Sequence, residues 1–141
     1  MCGLAGILGT ARPDHHALVS SMVSIQRHRG PDSFNVKQYP DAVLGHARLS
    51  IIDLSKNAKQ PMESFDRRHV ILFNGEIYNY LELRRELEDG YRFKSKSDTE
   101  VLLAAYQRWG DACLEHLNGM FAFCIFDQRT RRAFLARDRF G

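Results

Sequence analysis

Apolar residues along this chain fall into runs whose spacing changes from segment to segment. Residues 2–8 form a short Gly-rich apolar run, the pattern of a strand covered on both faces. Between residues 14 and 27, Leu18, Val19, Met22, Val23 and Ile25 recur at helical spacing with one dominant face. Arg27-His28-Arg29-Gly30-Pro31-Asp32 then stops that helix, because Gly and Pro are poor helix formers and the residue before Pro avoids the helical region. Strand-like stretches follow at 34–39, 42–52 and 69–74, and the polar residues 55–67, with Pro61, read as a loop. Residues 81–88 predict a short helix ending at Gly90, and residues 97–109 a longer one ending at Gly110. Ser97 and Glu100 have the S-x-x-E spacing of a capping box, which puts Asp98 in the first helical turn. Residues 120–127 and 132–137 flank a polar Gln128-Arg129-Thr130-Arg131 turn and predict a hairpin. In residues 121–126 and 70–73 both alternating sets are apolar, so these strands belong in a sheet sandwiched between other layers.

Composition narrows the class. With 141 residues, 44% hydrophobic and 26% charged, the chain suits one globular domain over residues 1–141, with no repeat or linker-like stretch. A net charge of +3 is too small and scattered to announce a nucleic-acid or membrane partner. The longest apolar run has seven residues, far short of the roughly 18–20 that span a bilayer. No positive charge precedes the first apolar stretch, which makes a poor secretory signal. Cys2, Cys113 and Cys124 are too few and too dispersed for a disulfide framework and fit a reducing, cytoplasmic compartment. His15, His16, His28, His46, His69 and His116 form no H-x-x-x-H pair, so no metal site is expected. The glycines make neither a dinucleotide fingerprint nor a phosphate loop. The pairs Arg84-Arg85 and Arg131-Arg132 fall in a solvated helix and a turn rather than a nucleic-acid face.

Candidate chemistry begins at Cys2. Its small side chain permits removal of the initiator Met, leaving a thiol beside its own α-amine. An amine of pKa about 7.7–8.0 can accept the proton of a thiol of pKa about 8.5, so one residue can supply nucleophile and base. A small buried cysteine at a strand start is the competing reading. Asn74-Gly75-Glu76, at the end of an apolar strand, offers donors of the type aimed at a developing oxyanion, although Asn-Gly is also the commonest tight-turn dipeptide. Arg48, a charge among apolar strand residues, is either outward-facing or a carboxylate clamp. Asp98 suits an ammonium partner, or simply the dipole of its helix. Together these groups suit an α-amino acid whose side-chain carbonyl is attacked.

As a set the motifs resemble the glutaminase domain of glutamine-hydrolysing asparagine synthetases. The series begins with Met1-Cys2-Gly3-Leu4-Ala5-Gly6, Arg27-His28-Arg29-Gly30-Pro31-Asp32, Arg48-Leu49-Ser50-Ile51-Ile52-Asp53-Leu54 and Gln60-Pro61-Met62. It continues through Phe73-Asn74-Gly75-Glu76-Ile77-Tyr78-Asn79, Ser97-Asp98-Thr99-Glu100-Val101-Leu102, Gly119-Met120-Phe121-Ala122-Phe123 and Arg137-Asp138-Arg139-Phe140-Gly141. The resemblance implies a class II glutamine amidotransferase with the α+β N-terminal-nucleophile hydrolase fold, a four-layer αββα sandwich. It implies Cys2 as nucleophile, Asn74 and the Gly75 amide as oxyanion hole, Arg48 on the glutamine carboxylate and Asp98 on its ammonium. Leu49, Ser50, Ile51, Ile52 and Glu76 would line the pocket, with residues 28–32 near its mouth. In that family the sequence runs on past Gly141 into further strands and an ATP-dependent synthetase domain that activates aspartate. The resemblance therefore implies a C-terminally incomplete glutaminase domain that needs no cofactor itself, ATP and magnesium belonging to the synthetase. It leaves open a homodimer or a partner chain supplying the remaining strands and the synthetase domain. A non-catalytic remnant or interaction module, or an amidotransferase with another acceptor such as a sugar, are the alternatives.

Overall fold

The computed structural model describes all residues, Met1–Gly141. Strands β1 (Gly3–Leu8), β2 (Ser33–Tyr39) and β3 (Ala42–Arg48) form an antiparallel sheet in the order β1-β3-β2. Strands β4 (Met62–Glu63), β5 (His69–Ile77), β6 (Gly119–Asp127) and β7 (Arg132–Arg137) form a second antiparallel sheet in that order. Helix α1 (His15–Ile25) covers the first sheet, and α2 (Tyr80–Leu87) with α3 (Asp98–Trp109) covers the second.

Strand alternation explains the layering, since successive side chains point to opposite faces. On β3, Val43 and Ala47 pack with Val19 and Val23 of α1, while Ala42 and Leu44 turn toward Val70, Leu72 and Phe126 of the second sheet. On β5, Ile71, Phe73 and Ile77 face α2 and α3, whereas Val70 and Leu72 face the first sheet. Three apolar layers thus separate four structural ones, giving the expected αββα sandwich, and β5 is covered on both faces as its composition predicts. Each fully buried Leu, Ile, Val or Phe contributes about 1.5–3 kcal/mol of burial.

Several local expectations need correction. β1 is an edge strand, and Gly6 and Leu8 are exposed rather than covered. The buried stripe of α1 is His15, Val19 and Val23, while Leu18, Met22 and Ile25 face solvent. The strand predicted over 42–52 ends at Arg48, because residues 49–55 fold into a loop held by the Arg48 side chain. The 55–67 loop contains a 3-10 turn at Lys56–Ala58 and the short β4. Most consequential for the site, β5 does not end at Phe73. It continues through Asn74 and Gly75 to Ile77, paired with β6 throughout, so the Asn-Gly dipeptide is strand and not turn. A Cβ on Gly75 would lie 2.1 Å from the Met120 carbonyl oxygen, so this close approach of β5 to β6 admits only glycine.

Ser97 caps α3 as its spacing predicts, its Oγ accepting from the Glu100 N–H at 3.3 Å. The reciprocal half of the box is replaced. The buried Glu100 carboxylate accepts from the N–H groups of Lys94 and Ser95 and from the Ser95 hydroxyl, pinning the segment that leads into Asp98. Arg84 is not simply solvated either, for it donates to the Ser95 carbonyl at 2.8 Å and lies over the Phe93 ring.

Candidate active site

One end of the space between the sheets opens into a cavity of about 110 Å³. Pockets for drug-sized ligands run to roughly 300–1,000 Å³, so this one suits a small metabolite. Cys2, Arg48, Leu49, Ile51, Ile52, Gly75, Glu76 and Asp98 line it, together with Asp53, Gln60 and Thr99. Of the residues singled out from sequence, Ser50 and Asn74 are not among its lining. The Ser50 N–H instead donates to Asp32 Oδ2 at 2.7 Å.

Cys2 precedes β1 and is delivered by that strand's pairing with β3, in which Gly3 opposes Ala47. Its Sγ lies 3.4 Å from the Leu49 N–H, a donor that suits a thiolate, and 3.7 Å from the Leu49 carbonyl. The Arg29 side chain donates to the Cys2 carbonyl at 3.0 Å. Gly30 lets this segment lie against β3, since a Cβ there would meet the Ala47 carbonyl carbon at 2.2 Å. The 28–32 segment therefore flanks the nucleophile. Met1 is joined to Cys2 and borders the cavity, so the Cys2 nitrogen is an amide.

Arg48 is buried, and it is not the outward-facing strand residue of one sequence reading. Its guanidinium donates to the carbonyls of Ser55 and Asp53 and meets no carboxylate. Asp53 in turn ties the loop to the start of α3, accepting from the Lys96 N–H at 2.7 Å and the Ser55 N–H at 2.7 Å. Partial burial acts to raise the Asp53 carboxyl, but these hydrogen bonds outweigh it and hold the group below its ordinary value. Arg48 is thus a pre-positioned cation with donors left over.

Asp98, in the first turn of α3, is buried with no cation beside it. Burial pushes its carboxyl up to about 6, against hydrogen bonds from the Ile77 and Thr99 N–H groups and with the Glu76 charge adding to the rise.

Along β5, alternate backbone groups point to opposite sides. On the side away from β6, the Phe73 N–H donates to Gln60 Oε1 at 2.6 Å and the Ile77 N–H to Asp98 Oδ2 at 3.1 Å. Gly75 stands between them with the same parity, and its β6 partner Phe121 exchanges hydrogen bonds with Asp138 instead. The Gly75 N–H therefore faces the cavity that Gly75 lines. The neighbouring Asn74 amide is under-satisfied, its Oδ1 buried without a hydrogen bond. Leaving such an acceptor unpaired costs about 1–3 kcal/mol, and only a hydrogen-bond donor would satisfy it.

Sequence reasoning missed Gln60 as a structural tie. Its Nε2 donates to Thr99 Oγ1 at 3.3 Å while Oε1 holds Phe73, so it braces β5 against α3 beneath the cavity. Only its place in the Gln60-Pro61-Met62 motif hinted at this. No group of three or more His, Cys, Asp or Glu side chains is placed to hold a metal, and no helix is long and apolar enough to cross a membrane.

A family model described as a glutamine amidotransferase domain matches residues 1–141. Asparagine synthetase [glutamine-hydrolyzing] 1 of Bacillus subtilis is 43% identical over 146 residues, covering 100% of this chain and 23% of that protein. Asparagine synthetase B [glutamine-hydrolyzing] of Escherichia coli is 38% identical, covering 100% of this chain and 26% of its own length. The chain thus spans about a quarter of the length of these relatives. Among solved structures, glutamine phosphoribosylpyrophosphate amidotransferase from B. subtilis superposes with a TM-score of 0.79 at 22% identity, over 97% of this chain and 37% of that one, a likeness of fold. With the family model matching it from first residue to last, the chain belongs to the glutamine amidotransferase domain family, and the curated relatives it resembles are glutamine-hydrolysing asparagine synthetases.

Proposed function

We propose that Cys2 is the nucleophile of a glutaminase that releases ammonia from the side chain of glutamine. The observation that carries this reading is a buried cation and a buried carboxylate, Arg48 and Asp98, bordering the same cavity as the Cys2 thiol without neutralising each other. Free glutamine presents the complementary pair. Its α-carboxylate suits Arg48, its α-ammonium suits Asp98 with Glu76 nearby, and its side-chain amide then extends toward Cys2. The loop residues Leu49, Ile51 and Ile52 enclose it.

Removal of Met1 converts the Cys2 amide nitrogen into an α-amine and clears its side chain from the cavity. That amine takes the thiol proton as sulfur attacks the amide carbon. The resulting oxyanion is held by the Gly75 N–H and the Asn74 side-chain amide. Collapse breaks the C–N bond, the amine's proton passes to the leaving nitrogen, and ammonia departs from a γ-glutamyl thioester. Water, deprotonated by the same amine, then releases glutamate and restores the thiol. The glutaminase step needs no cofactor. The relatives' names point to synthesis of asparagine as the use of that ammonia, and by the family resemblance ATP and magnesium would serve that step rather than the glutaminase one. A reducing cytoplasm suits a chain whose three cysteines are free.

Ammonia and glutamate release from glutamine tests this directly. Processed protein should turn over glutamine with a rate that rises as the α-amine loses its proton, near pH 7–8 for an ordinary amine. Protein shown by intact mass to lack Met1, yet releasing neither product, would refute it.

A further inference from the structure

His46 is a polar side chain at the centre of the fold that the mechanism above does not use. It occupies the middle of β3, the central strand of its sheet, opposite Leu4 of β1 and Asn35 of β2, and is 1% exposed. Its Nε2 lies 3.1 Å from the carbonyl oxygen of Phe73 in the other sheet. A carbonyl carries no proton, so Nε2 bears the hydrogen and donates it. Burial drives the imidazole down to about 4, despite the Phe73 hydrogen bond and with the nearby Arg48 cation lowering it further, so the ring is neutral at working pH. His46 and Arg48 have the same parity on β3 and share its inner face, one reaching the second sheet and the other the cavity.

The partner of this bond is significant. The Phe73 carbonyl belongs to the same planar peptide as the Asn74 N–H. The other backbone group of Phe73 is fixed by Gln60 Oε1. Here β4 is only two residues long, so the edge of β5 beside Phe73 has no strand partner and side chains take the place of a ladder.

We propose, building on the glutaminase reading, that His46 is a positioning residue. Its Nε2–H holds the Phe73 carbonyl and so orients the Phe73–Asn74 peptide, and through it the Asn74 side chain and the Gly75 N–H of the following peptide that reach the developing oxyanion. β3 then couples three parts of the reaction, since it pairs with the strand that delivers Cys2, carries Arg48, and through His46 aligns the oxyanion donors.

The test compares His46→Leu, which keeps bulk without a donor, with His46→Gln, which can return an N–H to the same carbonyl. In the processed enzyme, His46→Leu should lower kcat for glutamine about 10- to 100-fold with KM within about twofold, as expected for misplaced oxyanion donors. His46→Gln should recover most of the loss. Attack of Cys2 on a glutamine analogue with an electrophilic ketone should slow in parallel. Alkylation of Cys2 by iodoacetamide forms no oxyanion and should keep its wild-type rate. Wild-type kcat in His46→Leu, a Gln variant no better than Leu, or alkylation slowed as much as ketone addition each overturns the proposal. Wild-type protein that alkylates but never hydrolyses glutamine sinks the glutaminase reading instead. Should the leucine variant not fold, nitrogen-15 histidine spectra of the wild type decide. A neutral Nε2–H tautomer from pH 8 to about 5, shifting when the ketone binds, supports the role, and an Nδ1–H tautomer or an unmoved resonance contradicts it.

Discussion

At one end of β5, Arg68 meets Asp127 at 2.6 Å with His69 beside them. At the other, Arg48 and Asp98 border one cavity with neither in an ion pair, and His46 lies behind. The residue types are the same, but the arrangements have opposite consequences. Two charges in contact satisfy each other and have little left for a ligand. Asp127 shows this, its carboxyl held well below the usual range by the Arg68 hydrogen bond, against some burial, with backbone N–H groups of Thr130 and Arg129 adding to the effect. Charges held apart are instead available to a zwitterion of matching length. Asp98 shows the corresponding penalty, an acid pushed up by burial because no cation is near. The proposed glutamine site is distinguished here by unpaired charge rather than by charge.

The comparison can be broken most decisively at the nucleophile. Cys2→Ala should abolish glutamine hydrolysis, by about 10⁴-fold or more on the scale of nucleophile removal elsewhere, while glutamine binding by calorimetry stays within a few fold. Loss of binding together with turnover would mean that the separated charges do not hold the substrate. Cys113 and Cys124 offer no substitute, since burial raises their thiols to about 12 and about 11.

A smaller, paired effect separates the two aspartates. Asp98→Asn should raise KM for glutamine about 30-fold or more, consistent with ~2 kcal/mol or more for removing one partner of a desolvated charge pair, with little loss of thermal stability. Asp127→Asn should do the reverse. It takes the carboxylate from Arg68 and weakens the acceptor of the Arg129 and Thr130 N–H groups, so the melting temperature should fall while KM is unchanged. Thermal melts and steady-state kinetics on both variants check the reciprocity, and an equal KM effect at both ends would remove the distinction.

The smallest effect is that of mild acid. As pH falls through about 6, Asp98 takes up a proton and loses its hold on an ammonium, so KM should rise several-fold between pH 7 and 5.5. Folding responds differently. A carboxyl raised by folding gains stability on acidification, whereas His46, lowered to about 4, loses stability as pH falls below 6.5, with His69 acting in the same direction. The opposing signs leave folding much less sensitive than binding over this window. Asp127, being depressed, keeps its contribution until pH falls below the ordinary carboxyl range. Asp98→Asn should flatten the KM profile, and a profile unchanged by that substitution would reassign the proton.

Much of this was legible in the sequence where the signal was local. The β6–β7 hairpin follows from two apolar runs and a polar turn, and the start of α3 from Ser97 and Glu100. The doubly covered β5 follows from four consecutive apolar residues. What escaped depended on partners far along the chain. Asn74-Gly75 reads as a turn until Met120 and Phe121 of β6 are seen to lie against it. His46 and Gln60 look unremarkable because each is defined by a bond to Phe73, 27 and 13 residues away. Leu18, Met22 and Ile25 have helical spacing, yet α1 buries only the narrow stripe that faces its sheet. The two ends of β5 illustrate the same limit, because pairing or separation of an Arg and an Asp is a property of the fold.

The central claim is that Cys2, placed by β1 against Leu49 and bordering the same cavity as Gly75, attacks glutamine. Processed enzyme quenched in acid during turnover and digested for mass spectrometry tests it most directly. The account predicts one γ-glutamyl group on the peptide that begins with Cys2, and none on those containing Cys113 or Cys124. Turnover without that adduct in the wild type, or an adduct on Cys113 or Cys124, would contradict it.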